Sequence, residues 1–485
     1  MASPSTLSAP PSAQALDPRR WLALILLCTA NFMVILDSQI VILALPKMSE
    51  ALHLSPEAAQ WVLSANLLTF GGLLLLGGRA ADLLGRRRMF MLGTALFLLV
   101  SIASGLAPNA EVLIAARALH GVSAALMAPT ALSILTTTFP EGSERNKALA
   151  GWAGIAGIGA VTALLIGGAL ANLGWQWVFF VNVPVALLML VISPILLRES
   201  RDAGLPRKYD VAGALSSTVA LVLLVYAVAI APMAGWLSPI TLGLFAGSIL
   251  LFAVFVAIER RSSAPLVPLR IFRKPNLNGG NLAMVTMGML AFGFSVTISQ
   301  YSQIVLGLTP FEFGVRQAIM PAMAFVGAYV GQAFVTRLGF RPVAAACLVM
   351  LGAGSLIMAL TATGSLSYGA TFVALIPFGV GIGLGTTAAS AAALSGVAAS
   401  ESGLASGFNT AAQQVGGGLG VAVVLTVLAS YTGSGTGGFQ SAFVACVVFA
   451  VVGFVFTLAM MRSKQATEAG LRAEQQQQTP VLTHF

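Results

Sequence analysis

Apolar runs of about 18 residues or more recur along most of this chain, each long enough to cross a hydrocarbon core of about 30 Å as a helix rising about 1.5 Å per residue. Charged residues make up 8% of the 485 positions, against about 25% in ordinary soluble domains. That is too few to clothe a water-facing surface. Inside a bilayer the backbone must satisfy its own hydrogen bonds, which an unbroken helix does. The expected fold class is an all-α polytopic membrane protein, with the lipid bilayer as its solvent.

Fourteen spans are predicted, near 21–45, 59–77, 89–107, 111–137, 148–171, 176–197, 211–230, 238–258, 278–306, 314–336, 342–362, 368–391, 404–430 and 440–461. The first run is too long for a signal-peptide core and reads as a retained span. An even number returns both termini to one side. All but three of the 25 Lys and Arg side chains fall in the two tails or in alternate loops, the exceptions being Lys47, Arg117 and Arg316. Cytoplasmic segments carry such an excess, so both termini are expected on the cytoplasmic side of the cell inner membrane. The charges sit in turns and form no basic face, so the net charge of +9 does not point to nucleic acid. Cys28, Cys347 and Cys446 lie in apolar segments, with no disulfide framework and no metal spacing.

The spans group as six, two and six, which divides the chain into six segments. Residues 1–20 read as a disordered cytoplasmic tail and 21–200 as a first six-helix bundle. Two inserted spans occupy 201–260 and a cytoplasmic linker 261–277. A second six-helix bundle covers 278–462, and a disordered tail 463–485. A faint internal repeat supports two related halves. TRLGFRP at 336–342 aligns with DLLGRRR at 82–88, placing Gly339 on Gly85 and Thr336 where the first copy has Asp82.

Of the sixteen acids, Asp37 alone lies well inside a span. A charge at membrane depth is costly and marks an ion or proton pathway. Asp37 lies nine residues before Pro46, about 13 Å from the outer end of its span, and Arg117 lies eight after Asn109, about 12 Å in by the same rise. The two are level and are expected to neutralise one another, either as a proton-coupling pair or as a static pair that fixes packing. His120 follows Arg117 by three residues on the same helical face. It is placed either to relay a proton or to bond a neighbouring helix as a neutral ring. The amides Asn31, Gln39, Gln300, Gln303, Asn409 and Gln413 are expected at a substrate cavity, although such groups also join helices.

Several motifs resemble those of the major facilitator superfamily. The turn GRAADLLGRRR at 78–88 fits its signature G-x3-D-x2-G-R-R through Gly78, Asp82, Gly85, Arg86 and Arg87. LDSQIVILALP at 36–46, RALHGVSAA at 117–125, WQWVFFVNVP at 175–184, YSQIVLGLTPFEFG at 301–314 and ESGLASGFNTAAQQVGGGLG at 401–420 resemble signatures of its fourteen-span drug:proton antiporter family. That family usually has Gln where this chain has His120 and Arg where it has Gln176. In span five Gly167 and Gly168 match, but the family's Gly-Pro pair is replaced by Ala163 and Leu164.

The resemblance implies the major facilitator fold, two six-helix bundles plus two inserted central helices. It further implies a proton-coupled multidrug or natural-product exporter, conferring antibiotic resistance, whose substrate is a small amphipathic compound. Asp37, Arg117 and His120 would couple protons, while Gly78, Asp82, Gly85, Arg86, Arg87, Gly167 and Gly168 would gate the conformational change. No cofactor beyond the proton gradient and no partner beyond substrate, protons and lipid is implied, and the protein is expected to be a monomer. A proton symporter or importer with the same fold is the alternative that the missing Gly-Pro keeps open. An enzyme or ATP-driven pump is disfavoured, since no Lys follows a Gly to make a GK[ST] phosphate loop and no HExxH zinc motif occurs. With a single deep acid offset by Arg117, neutral or weakly anionic substrates are expected over dications. The Asp82 turn sits a helix length from Asp37, so Asp82→Asn should lower turnover while leaving substrate affinity nearly unchanged; transport kinetics across a substrate series check this.

Overall fold

The computed structural model describes residues 19–139, 142–201, 210–262, 265, 270, 274–363, 368–395, 397, 402–431 and 435–461. The two expected tails lie almost entirely outside these residues, as does most of the linker at 261–277. Every regular element among the described residues is a helix, and fourteen helical segments are long and apolar enough to cross a membrane. The first five are α1 (Arg20–Ala51), α2 (Pro56–Leu84), α3 (Arg86–Gly105), α4 (Ala110–Thr138) and α5 (Ser143–Leu173). Span six is broken into α6 (Trp177–Phe180) and α7 (Asn182–Leu196). Next come α8 (Val211–Ala234), α9 (Pro239–Arg261) and α10 (Pro275–Gln300), which ends in a π-helical turn, Tyr301–Val305. Span ten is broken into α11 (Pro310–Gln317) and α12 (Ile319–Leu338), followed by α13 (Phe340–Thr361), α14 (Tyr368–Leu394), α15 (Ser402–Ser430) and α16 (Gly437–Met460).

Local chemistry sets the boundaries. Ser55 and Ser238 cap α2 and α9 just before a proline, whose missing N–H costs nothing at a helix start. Thr309 and Glu312 form a reciprocal capping box at α11. Two helices are longer than their apolar runs. α1 continues through Pro46 to Ala51, and α2 runs on to Leu84, so Gly78 and Asp82 are helical and the expected loop shrinks to Gly85. No breaker stands between Gly78 and Leu84, and a long side chain such as Arg79 reaches headgroup level from a helical backbone. Gly85 itself has φ 114°, and Gly339 between α12 and α13 has φ 85°, both in the region that favours glycine. The two aligned glycines of the faint sequence repeat thus make the same turn, each closing one helix and opening the next.

Helices α1–α7 pack among themselves, as do α10 and α12–α16, while α11 packs chiefly on α5 of the first group. The inserted pair α8 and α9 pack on each other, and α8 leans on α2 and α15, which meet across the boundary between the two groups. The ends of α1 and α5 are joined on one membrane face by Arg20 and Glu144 at 2.9 Å. Arg341 at the start of α13 donates to the Leu458 carbonyl near the end of α16 at 2.6 Å. We call this the terminal face.

The two groups of helices meet closely on the opposite, distal side. Gly314 of α11 lies against the Leu164 carbonyl of α5, and a Cβ added at Gly168 would lie 2.6 Å from the Pro310 carbonyl oxygen. Ser299 donates to the Ile42 carbonyl at 3.1 Å and Gln303 to the Leu43 carbonyl at 3.0 Å. Toward the terminal face the same stripe of α5 continues through Gly157 and Gly154, where an added Cβ would meet nothing within 4 Å. Here the helices diverge, and the crossing is wedge-shaped. Because Gly168 has no room for a side chain at the closed end, Gly168→Val should force the distal side apart. Spin-label distances across the distal ends of α5 and α11 should lengthen relative to the parent protein.

Candidate functional site

Asp37 lies in the middle of α1 and is 2% exposed, beside Arg117 and His120 of α4, each 1% exposed. The spacing of three residues puts Arg117 and His120 on one face of α4, and that face meets α1. Arg117 Nη1 donates to Asp37 Oδ2 at 2.7 Å, and its Nε donates to the Val62 carbonyl of α2 at 3.2 Å. Asn182, at the start of α7, donates to Asp37 Oδ1 at 3.4 Å. The guanidinium also faces the Phe179 ring of α6 from 6.0 Å. One carboxylate and one guanidinium therefore tie together α1, α2, α4 and the broken span six.

His120 has a more particular position. Its Nδ1 lies 3.1 Å from Asp37 Oδ2 and 3.3 Å from Arg117 Nη1, within reach of an acceptor and a donor at once. Its Nε2 lies 3.4 Å from Ser101 Oγ of α3. That hydroxyl already donates to the Phe97 carbonyl at 2.7 Å, so its bond to the ring requires a proton on Nε2. A neutral ring then accepts from Arg117 at Nδ1, whereas a charged ring donates to Asp37. One ring nitrogen can exchange partners on a single protonation. A void of about 10 Å³ beside Arg117, partly walled by Phe292 and Val421, is at the lower limit for one water.

A larger cavity, about 370 Å³, lies between the two groups of helices, lined by Gln39 and Leu164 on one side and Phe313, Gln317, Thr386 and Gln413 on the other. Of the six amides expected there, only Gln39 and Gln413 line it. Gln300 and Gln303 line a separate distal vestibule of about 730 Å³ with Lys47 and Glu50, beyond the closed crossing. The π turn after Gln300 is continuous with that end of span nine. Asn409 turns into the second group of helices, donating to Asn281 at 3.0 Å and accepting from Ser390 at 3.1 Å, so it joins helices. Asn31 lies elsewhere on α1 and does not border the cavity. Gln317 borders it and was not singled out from the sequence; it is the last residue of α11, directly before the break at Ala318, and nothing in the sequence marked that break.

A family-wide sequence model described as Major Facilitator Superfamily matches residues 27–421. The chain belongs to this superfamily. It is 37% identical to the puromycin resistance protein of Streptomyces alboniger over 423 residues, covering 86% of this chain and 83% of that one. It is 36% identical to the cephamycin export protein CmcT of Amycolatopsis lactamdurans over 467 residues, covering 93% and 94%. A bacterial homologue of the human lysosomal transporter Spinster, solved inward-facing and occupied, matches with a TM-score of 0.66 at 18% identity, covering 93% of this chain and 98% of that one. That likeness establishes the major facilitator fold.

In this superfamily member the signature turn has a partner that the sequence reading missed. Asp82 of α2 pairs with Arg86 of α3 across the Gly85 corner, at 2.8 Å. Glu199, beyond the end of α7, accepts from the Arg87 and Arg88 backbone N–H groups at 3.2 and 3.3 Å, and Arg86 N–H donates to the Ser200 carbonyl at 2.9 Å. Residues 199 and 200 thus satisfy the first three N–H groups of α3, where a carboxylate also meets the positive end of the helix dipole. Glu199 is an acid set among arginines at 198 and 201, the one sequence cue to this role. Gly78 sits against Pro129 of α4, and Gly167 against Ile40 of α1, while Gly168 forms the closed crossing.

The triad carries a stability consequence. Removing Arg117 leaves Asp37 buried and unpaired, which typically costs 3–5 kcal/mol, roughly. Arg117→Met should therefore lower the unfolding temperature in detergent more than the double variant Asp37→Asn/Arg117→Met, which leaves no uncompensated charge. Paired thermal unfolding measurements check the order.

Proposed function

We propose that this superfamily member is a proton-coupled exporter of small amphipathic organic compounds, drugs or natural products, working by alternating access in the cell inner membrane with both termini cytoplasmic. The observation that carries the proposal is the sealed triad of Asp37, Arg117 and His120, a carboxylate whose charge is matched only by groups that a proton would reorganise. Relatives named for puromycin resistance and cephamycin export support the direction of transport. The distribution of Lys and Arg supports a cytoplasmic terminal face. No cofactor is required beyond the proton gradient, and a monomer suffices because the cavity lies within one chain.

The geometry fits one stage of such a cycle. Along α5 the two groups of helices part toward the terminal face and close distally, while α2 and α15 stay in contact, and Asp37 is paired as a carboxylate. This is the state that follows proton release to the cytoplasm and precedes substrate loading. On the distal side of the cycle, a proton on Asp37 weakens its hold on Arg117. A neutral His120, which already accepts from Arg117 at Nδ1, keeps the guanidinium bonded as Asp37 lets go, so the arginine is not left unsatisfied. The first bundle then shifts its packing, and the distal contacts at Ser299, Gln303 and Gly168 part as the terminal side closes.

The unbroken α5, with Ala163 and Leu164 in place of a Gly-Pro pair, favours keeping a symporter of the same fold as the second reading. Everted membrane vesicles separate the two, since an exporter accumulates substrate there when the interior is acidified and a symporter does not. In the same vesicles Asp37→Asn should insert normally and lose proton-driven accumulation. Proton-driven transport at the parental rate by that variant would contradict the proposal.

A further inference from the structure

The cavity between the two halves has a chemical character that the proton site does not share. Among the described residues no ionisable side chain lines it. Asp37 and Arg117 belong to neighbouring helices but turn toward each other, and neither borders the cavity. Its polar groups are amides and hydroxyls, with glutamines at three corners: Gln39 from α1, Gln317 from the break between α11 and α12, and Gln413 from α15. Phe313 and Met320 supply apolar walls. At about 370 Å³ the space falls in the range of drug-sized sites.

Gln317 is the unusual member. It is 2% exposed, and its Oε1 is buried without any hydrogen-bond partner. Its Nε2 makes only a contact of 3.5 Å with the sulfur of Met320, a weak acceptor. The amide is thus weakly held at both ends, in the wall of a cavity, at a point where the helix is interrupted. A buried acceptor with no donor is costly to keep; the Gln317 amide, held only by the Met320 sulfur, reaches a ligand donor by turning toward the cavity that its residue borders. A cation gains nothing comparable here, because no carboxylate faces the space.

Resting on the transport reading above, we propose that the cavity selects uncharged ligands that carry hydroxyl donors, and that Gln317 is the specificity-determining acceptor. Gln39 and Gln413, each offering a donor and an acceptor, hold the ligand's remaining polar groups from opposite halves. A ligand bound in this way bridges the two bundles through neutral hydrogen bonds. Its occupancy therefore leaves the charge balance at Asp37 unchanged.

The test is equilibrium binding to the purified full chain in lipid nanodiscs, with no proton gradient, so that failure of this inference and failure of proton-driven export are distinguishable. The probes are chloramphenicol, which is uncharged and has two hydroxyls and an amide, its diacetate, in which both hydroxyls are blocked, and the cation ethidium. Chloramphenicol should bind more tightly than ethidium and at least about tenfold more tightly than its diacetate, the size expected for one buried donor–acceptor pair. Gln317→Leu should bring chloramphenicol close to the diacetate while leaving diacetate binding unchanged. If that variant does not fold, Gln317→Met, nearer in length, serves in its place. Tighter binding of ethidium, no binding of chloramphenicol, equal binding of chloramphenicol and diacetate by the parent protein, or a variant that weakens both alike would each overturn the proposal.

Discussion

A single carboxylate held in the hydrophobic thickness governs the first half of this protein. Water is not available there to solvate Asp37, so the chain must supply the solvation itself. It does so with one guanidinium, one imidazole and one amide, drawn from α4 and the start of α7. Arg117 in turn takes up the Val62 carbonyl of α2 and rests over Phe179. The packing of these helices is therefore conditional on the charge state of one group.

The second half works by different physics. It holds no counterpart to the Asp37 pair among its described residues, and its buried polar groups are uncharged. Asn281, Asn409 and Ser390 bond one another across helices, while glycines let the backbones of α12 and α14, and of α10 and α15, approach one another closely. Close approach without side chains supplies dispersion contacts, the main attraction left between helices in lipid. The asymmetry is one of charge: the first half holds the buried ion pair, while both halves present neutral walls to the cavity. At the terminal-face turns the halves look alike, where Gly85 and Gly339 make equivalent corners.

Much of the site was legible because depth in a membrane can be counted from either end of a span. Asp37 and Arg117 were matched by that arithmetic before any contact was known, and the helical repeat placed His120 beside them. The same arithmetic carries no information about direction around the helix axis. Gln300 and Gln303 were therefore assigned to the central cavity although they face a distal vestibule, and Asn409 was assigned there although it bonds within its own half. Glu199 was passed over because its partners are backbone N–H groups, which every residue has and no motif records.

The sequence by itself determined the membrane, the fourteen spans, the pairing of the two halves and the depth of Asp37. These follow from hydropathy, length and charge counting, which act locally along the chain. Only the tertiary structure decided which amides face the cavity, that Glu199 closes the start of α3, and that α5 and α11 touch at Gly168 yet part at Gly157 and Gly154. Each of these depends on rotation and tilt between helices distant in the chain. Those are set by how side chains and glycines interlock across interfaces, and no local property of a single span specifies them.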